Sequence, residues 1–293
     1  MHKSSIFSAL LFCLPTFAGA QQGATLGQWP SYGGDLGHTR YAPLQQIDAS
    51  NFSDLKLAWI FKTDNFGPNP EYRFQSTPLM VDGVLYTTAG SRRSVVALDA
   101  TNGEILWSFR FAEGLRATNA PRQLSGRGLA FWPGSNGQNS RVLYVTPGYQ
   151  LIALDAFTGN LVPEFGRNGV VDLKQNLDQV IDLNTADIGL HATPIVAKDV
   201  VIVGAAHRTG GNPRSRKNVK GFVRGFDVKT GERLWIFHTI PRRGEYGYES
   251  WEEDSGSYTG NTGVWAQISV DPELNTVYLP VEAATGDYYG AYR

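Results

Sequence analysis

Short apolar runs alternate with turns rich in Gly, Asp and Asn along most of this chain, and long helical apolar periods are absent. Runs rich in Val, Thr, Tyr, Phe and Trp are typical of strands on half-buried, pleated surfaces. Three stretches follow one scheme, in which an apolar run ends at an Asp, a Gly follows four positions later, and the eighth position is Trp or Pro. These stretches span residues 96–107, 152–163 and 223–235.

The Asp-x-x-x-Gly scheme predicts a hairpin with a tight turn. The Asp side chain accepts hydrogen bonds from backbone amides ahead of it, and Gly adopts a positive φ angle without steric cost. A further predicted pair of strands precedes each hairpin, over residues 77–88, 128–146 and 193–204, so each unit supplies four strands. We expect Trp107 and Trp235, at the last position of the scheme, to pack between neighbouring units.

The spacing of the units predicts the architecture. The turn glycines lie at positions 103, 159 and 231, so the intervals are 56 and 72 residues. Periods of roughly 40–50 residues with four strands each are typical of β-propeller blades, and longer periods indicate loop insertions. One blade cannot bury both faces, so blades stack around a central channel. We predict an all-β chain with a single propeller domain over residues 21–293.

About three and a half blades are predicted, and this number cannot close a ring. Residues 265–280, with a turn at 271–275, begin a fourth unit whose Asp-x-x-x-Gly turn does not occur before Arg293. We therefore expect the sequence to be part of a longer propeller. The alternative is an open, curved array of sheets that is complete as written, which would leave exposed strand edges.

The start of the chain has a different pattern. Lys3 precedes an apolar stretch over residues 6–17, and Ala18-Gly19-Ala20 supplies the small residues that a signal peptidase requires. We predict a signal peptide over residues 1–20 and a periplasmic or secreted mature protein. The alternative is a buried N-terminal strand. No other run approaches the roughly 18 apolar residues of a membrane-spanning helix.

Cysteine content and charge restrict the partners. The single cysteine, Cys13, lies inside the predicted signal, so the mature chain would have no disulfide, and lipid attachment at Cys13 is disfavoured by the bulky Phe12 before it. The net charge of −1 argues against a nucleic-acid partner. A basic cluster is either a solvated loop or a rim that attracts an anionic cofactor or partner. Its members are Arg214, Arg216, Lys217 and Lys220.

Several motifs together resemble the dehydrogenases that depend on pyrroloquinoline quinone (PQQ). They are the repeated Ala-Leu-Asp-Ala-x-x-Gly-x-x-x-Trp scheme, Trp-Pro-Ser-Tyr-Gly-Gly-Asp at 29–35, Arg-Gly-Leu-Ala-Phe-Trp at 127–132, and the tail of the third repeat at 238–251. The tail is most similar to the glucose dehydrogenase-like branch. The resemblance implies an eight-bladed propeller that holds PQQ over its channel, usually with calcium, and oxidises alcohols or sugars by hydride transfer. It also implies that residues 29–61 complete the final blade through a strand at 55–59.

The resemblance further implies which residues contact PQQ, a flat ortho-quinone with three carboxylates. Arg127 matches the arginine that binds a cofactor carboxylate, and Trp265 matches the tryptophan on which the quinone stacks. Gln75 falls at a polar cofactor contact. His191 falls where the family usually has Thr near the cofactor. A purely structural role is the alternative for each of these residues.

Two calcium ligands of the family have no match here. The Glu expected near Thr209 is absent, and the Asn expected after Trp265 falls at Ala283. Calcium takes about six to eight oxygen ligands, and an alanine side chain supplies none. Glu282 and Asp287 are alternative ligands at positions that do not match the family. The sequence therefore predicts PQQ and leaves calcium in doubt.

Two functions are consistent with the sequence. The first is the N-terminal part of an exported quinoprotein dehydrogenase, whose catalytic Asp would follow Arg293 and whose electron acceptor would be a quinone or a cytochrome. No Cys-x-x-Cys-His haem motif is present, so a cytochrome would be separate or encoded downstream. The second is a non-enzymatic scaffold or binding module, similar to propellers that assemble outer-membrane proteins. Arg127 and Trp265 favour the first function, and Ala283 favours the second.

Overall fold

The structure is a computed structural model in which single-turn helices are few and strands dominate. It describes residues 23–25, 27–69, 71–135, 137–209, 212–286, 290 and 292. The predicted signal peptide with Cys13, and also Asp287, lie outside the described residues. The helices are α1 (Leu115–Thr118), α2 (Ser255–Tyr258) and 3-10 turns at Phe52–Asp54, Tyr248–Ser250 and Glu252–Asp254. None of these described helices is long and apolar enough to cross a membrane.

The described strands form three four-stranded antiparallel sheets and one pair. The first sheet contains β1 (Leu79–Val81), β2 (Val84–Ala89), β3 (Ser94–Asp99) and β4 (Ile105–Phe109). The second contains β5 (Ala130–Trp132), β6 (Arg141–Val145), β7 (Gln150–Asp155) and β8 (Val170–Asp172). The third contains β9 (Ile195–Ala197), β10 (Val200–Val203), β11 (Val223–Asp227) and β12 (Arg233–Phe237), and the pair is β13 (Ser269–Asp271) with β14 (Thr276–Tyr278). Strands are neighbours in chain order within each sheet, as in propeller blades.

Apolar layers between successive sheets form the core. Along β7, Leu151 and Ala153 belong to the cluster shared with the third sheet, whereas Ile152 and Leu154 belong to the cluster shared with the first sheet. This alternation follows from the two-residue period of a strand. A further cluster around Val223 joins the third sheet to β13 and β14. The sheets are therefore stacked face to face, as the repeat pattern predicts.

The repeated turns close through local hydrogen bonds. The Thr101 amide donates to the Asp99 carboxylate over 2.7 Å, and the Gly103 amide donates to the Asp99 carbonyl over 2.8 Å. Gly103 has a φ of 77°, which glycine adopts without strain. The turns after Asp155 and Asp227 repeat both bonds. The predicted turns are confirmed.

A tryptophan packs on two of the three turn glycines. A Cβ at Gly159 would lie 2.5 Å from the Trp107 ring, and the indole N–H donates to a carbonyl of the same turn over 3.0 Å. Trp59 covers Gly103 in the same way, with a bond of 3.2 Å. Trp235 packs against the cluster that joins the third sheet to β13 and β14. Trp107 and Trp235 therefore pack between units, as predicted.

The second unit departs from the prediction in its outer strand. We expected that strand directly after the turn, but only an isolated bridge between Leu154 and Leu161 forms there, and the outer strand is β8. The physical reason is Pro163, which has no N–H for a ladder bond. The intervening residues take over the contact with the third turn, where the Gly166 amide donates to the Thr230 carbonyl over 2.7 Å. The segment between the second turn and β8 thus packs on Gly231 where a tryptophan packs on Gly103 and Gly159.

Residues 29–61, here called the N-terminal strap, bond to β1 through Trp29 and to β13 through Leu36. The strand predicted at 55–59 has no hydrogen-bonded partner among the described residues, where Leu57 is 74% exposed, and its part in a final blade stays a prediction. A strand needs a hydrogen-bonded neighbour to satisfy its backbone. The start of the strap does pair, since Trp29 bridges Met80 at the free edge of β1. The strap is therefore attached to the first sheet without forming a blade of its own.

Candidate functional site

A pocket of about 740 Å³ lies at one edge of the sheets. Its walls come from residues just before β1, β5 and β9, from the β10–β11 loop, and from the segments flanking β13 and β14. Antiparallel strands place these connections opposite the repeated turns. We call the edge with the turns at 99–103, 155–159 and 227–231 the turn edge, and the opposite one the pocket edge.

The pocket brings together all four predicted cofactor residues, namely Gln75, Arg127, His191 and Trp265. The guanidinium carbon of Arg127 lies 5.8 Å from the centroid of the Trp265 ring. The His191 imidazole stacks on the same indole, with centroids 6.0 Å apart and 11° between the planes. The Arg127 amide also donates to the His191 carbonyl over 2.7 Å. Arg127 from the β4–β5 connection and His191 from the β8–β9 connection therefore converge on the indole of Trp265.

Arginine dominates the charge of the pocket. Its described lining residues include four arginines and a single carboxylate, that of Glu282. The arginines are Arg73, Arg122, Arg127 and Arg208. The Nε atoms of Arg122 and Arg127 are buried and have no hydrogen-bond partner within the described structure. A buried N–H without an acceptor is unfavourable, and a carboxylate ligand would supply acceptors to both arginines. The pocket suits a planar polyanion.

His191 is held in its neutral form. Burial, followed by the charges of Arg122, Arg93, Arg127 and Arg73, lowers its pKa to about 3. A neutral imidazole offers one donor and one acceptor. The buried Nδ1 atom has no partner among the described atoms. His191 therefore adds hydrogen-bonding capacity to the pocket without adding charge.

Buried Arg93 anchors the loop that carries Arg127. The guanidinium of Arg93 donates to the carbonyls of Val145 and Leu190 over 2.7 and 2.6 Å. It also donates to three carbonyls of residues 122–124, over 3.1 to 3.4 Å. Since charge-assisted bonds are stronger than neutral ones, three of these contacts hold the loop and the other two tie it to Val145 and Leu190. Burial lowers the Arg93 pKa to about 10, so the side chain stays charged at neutral pH.

Glu71 supports the same loop from another direction. Its carboxylate accepts from the Ser125 amide and from the Gly90 amide, each over 3.1 Å. Neither Arg93 nor Glu71 is predicted from the sequence. Each lies in a predicted loop, where charged residues are common on the surface, and residue type alone does not distinguish a buried anchor there.

The described residues do not fit a calcium site. Thr209 and Ala283 line the pocket but bring no carboxylate, and no group of three or more His, Cys, Asp or Glu side chains converges within the described ranges. Glu282 also lines the pocket, and its Oε1 lies 2.8 Å from Nδ1 of buried His207. One carboxylate falls short of the oxygen set that calcium takes.

The basic cluster of the β10–β11 loop does not supply the pocket charge. Lys220 donates to the carbonyls of Ser257 and Thr259 over 3.1 and 2.6 Å and ties two loops together. Arg208, earlier in the same loop, lines the pocket instead. The remaining members, which are not among the lining residues of the described pocket, are Arg214, Arg216 and Lys217.

Family comparison agrees with this fold. Residues 29–293 match the family described as glucose/ethanol/alcohol dehydrogenase, beta-propeller domain, of the PQQ type. The chain belongs to this family of PQQ-type propellers. The predicted architecture of four-stranded propeller blades is thereby confirmed.

Individual relatives match over most of this chain but over a minor part of their own length. The chain is 31% identical over 301 residues to quinohemoprotein alcohol dehydrogenase ADH IIB of Pseudomonas putida, covering 95% of this chain and 39% of the relative. It is 31% identical over 280 residues to quinoprotein glucose dehydrogenase of Escherichia coli K12, covering 90% and 33%. The solved structure of quinohemoprotein alcohol dehydrogenase ADHIIG from Pseudomonas putida HK5 superposes with a TM-score of 0.68 at 28% identity, covering 88% and 35%.

Proposed function

We propose that this chain is the PQQ-binding N-terminal part of an exported quinoprotein dehydrogenase that oxidises an alcohol or a sugar. One observation carries the proposal, namely the convergence of Arg127, Trp265 and His191 in an arginine-lined pocket. Relatives named as alcohol and glucose dehydrogenases support the substrate class. Export rests on the signal predicted over residues 1–20.

The pocket residues fit the chemistry of PQQ. When bound, PQQ supplies an ortho-quinone that accepts a hydride. The Arg127 guanidinium presents paired donors to a carboxylate, and its unpartnered Nε would gain an acceptor. The Trp265 indole offers a flat apolar face to the ring. Gln75 and neutral His191 add polar contacts that leave the positive charge of the pocket to the arginines.

The remaining chemistry lies outside the described pocket. A base must take the proton of the substrate hydroxyl, and the family resemblance places an Asp for this role after Arg293. Glu282, the carboxylate in the described wall, is already bonded to His207 over 2.8 Å. We propose that electrons leave the reduced cofactor to a separate quinone or cytochrome.

Equilibrium dialysis of PQQ against the full chain tests the proposal. We expect Arg127→Ala to weaken binding about 100-fold, because two charge-assisted bonds of about 1.5 kcal/mol each are lost. Arg141→Ala is the matched control. Arg141 also has a buried Nε without a described partner, but it lies at the turn edge, where it donates to Val228 and Lys229 carbonyls over 2.8 and 2.7 Å.

The control variant should bind PQQ within about twofold of the parent, since it leaves the pocket intact. Equal affinity of the parent and the Arg127 variant would contradict the proposal, and so would a parent that binds no PQQ. Where binding occurs, reduction of a dye acceptor by alcohols and sugars then identifies the substrate class.

A further inference from the structure

Two segments of the pocket wall, residues 204–209 and 282–283, are joined by a hydrogen bond between His207 and Glu282. Nδ1 of His207 lies 2.8 Å from Oε1 of Glu282, 75 residues further along the chain. The His207 side chain is 1% exposed and that of Glu282 is 15% exposed. These are the two segments in which the family resemblance implies calcium ligands that this sequence lacks. The pair therefore connects the two wall segments that a bound cation would connect.

Backbone bonds hold both partners in place. Ala206, next to His207, pairs with Gly189 through two bonds of 2.6 and 2.9 Å. The Glu282 amide donates to the Gly263 carbonyl over 2.9 Å, and the Gly263 amide donates to Oε1 of the Glu282 carboxylate over 3.3 Å. One carboxylate oxygen thus accepts from an imidazole and from an amide. The contact is built by the fold and is partly buried, with His207 fully enclosed.

We propose that the His207–Glu282 pair takes the place of a divalent cation in joining these wall segments, so that the pocket assembles and binds its ligand without calcium. A cation would collect oxygen atoms from both segments. Here an imidazole N–H donates to a carboxylate across the same gap. Nε2 of His207 is buried and has no partner in the described structure, so the described bonding of the ring goes to Glu282.

Arginine supplies the positive charge that the ligand needs. The guanidinium groups of Arg73, Arg122, Arg127 and Arg208 line the same pocket. For a tricarboxylate ligand, a point that rests on the proposed function, these groups replace the charge of a metal. Arginine also provides directed bonds, which a calcium ion does not.

Calcium titration of the full chain without PQQ tests the inference independently of cofactor binding. Isothermal titration calorimetry should detect no binding heat, and the thermal midpoint in EGTA should equal that in calcium within about 1 °C. A midpoint that rises by about 5 °C with calcium would overturn the inference, whether or not PQQ binds. A parent that ignores calcium but fails to bind PQQ would overturn the proposed function alone.

Variants of the pair sharpen the test. His207→Ala removes the contact, so we expect a lower midpoint in EGTA and in calcium alike, because Glu282 alone still falls short of a calcium site. His207→Asn keeps a donor near the position of Nδ1 and should stay indifferent to calcium. The matched control is His38→Ala, which removes a histidine bonded to the Ile268 carbonyl over 2.7 Å outside this pocket. Its midpoint should fall without any response to calcium.

The outcomes separate clearly. If His207→Ala leaves the midpoint unchanged, the pair does not join the wall segments and the inference fails. If His207→Ala does not fold, calcium titration of the parent still decides. PQQ dialysis adds a second reading, because the affinity in EGTA and in calcium should agree within about twofold, and a tenfold gain with calcium would contradict the inference.

Discussion

The two edges of the sheets differ in the range of the bonds that shape their loops, although Arg141 also joins two units at the turn edge across 87 residues. At the turn edge, the turn at 99–103 closes through contacts among its own residues. At the pocket edge, Arg93 donates to the carbonyl of Leu190, 97 residues away, and His207 bonds to Glu282, 75 residues away. Local bonds recur wherever the sequence recurs, whereas distant bonds depend on the whole fold. The turn edge therefore carries the repeat, and the pocket edge carries the individual chemistry.

The largest expected effect comes from Arg93→Met at the pocket edge. The change leaves five carbonyl oxygens without their donor. We expect the free energy of unfolding to fall by about 3–5 kcal/mol, measured by urea unfolding. PQQ affinity should fall with it, because the loop at 122–124 loses its anchor. If the free energy of unfolding falls while PQQ affinity stays unchanged, the pocket does not depend on this long-range bonding.

At the turn edge, two glycines form a matched pair. Gly159 has a φ of 71°, and a Cβ there would lie 2.5 Å from the Trp107 ring. Gly83 has a φ of 84° and open space around it. We expect Gly159→Ala to cost about 2–4 kcal/mol of unfolding free energy and Gly83→Ala about 1 kcal/mol, since only the first adds an overlap. Equal losses of unfolding free energy in the two variants would mean that the overlap with the Trp107 indole adds no cost. Neither change should alter PQQ affinity.

The free energy of unfolding should depend on pH through the protonation of His191. Its pKa is about 3 in the folded chain against an ordinary value of 6.5, so the unfolded chain takes up the proton first as the pH falls. The stabilising contribution is complete above about pH 6.5 and is lost toward pH 3, with a slope of at most about 1.4 kcal/mol per pH unit. His191→Gln should flatten this part of the profile in urea unfolding. An unchanged slope would contradict the assignment.

The smallest effect is expected at a repeated turn. Asp227 accepts from the amides of Lys229 and Thr230 over 2.8 and 2.7 Å. Asp227→Ala should lower the free energy of unfolding by about 1 kcal/mol, as for other side-chain caps of backbone amides. Asp227→Asn keeps an acceptor and should lose less. Thermal unfolding measures both, and a change in PQQ affinity would show that the two edges are coupled.

The turns of the turn edge could be predicted from the sequence because the bonds that close each of them are local. The three Asp-x-x-x-Gly turns and the strand pairs before them occur where the pattern places them. The outer strand of the second sheet could not be placed. Pro163 interrupts the scheme, and the position of β8 follows from pairing with 150–152 rather than from any turn signal. The strand expected at 55–59 stays a prediction, since a strand depends on its neighbour and none is present among the described residues.

The pocket edge could be predicted only through resemblance to a family. Arg127 and Trp265 stood out because they lie in recognisable motifs, and the structure places them at one pocket with the two weaker candidates. Their roles in cofactor binding stay predictions. Arg93 and His207 were not predicted, because each acts through partners far away in the chain, and no periodic pattern marks such contacts.

The N-terminal strap is attached at both of its ends. Trp29 bridges Met80, and the Trp59 indole lies on Gly103, while Leu57 between them is 74% exposed. A protease that nicks the exposed span would therefore release no peptide while the first sheet stays folded. The cleaved chain would migrate as a single species on a native gel and separate into two bands only after denaturation.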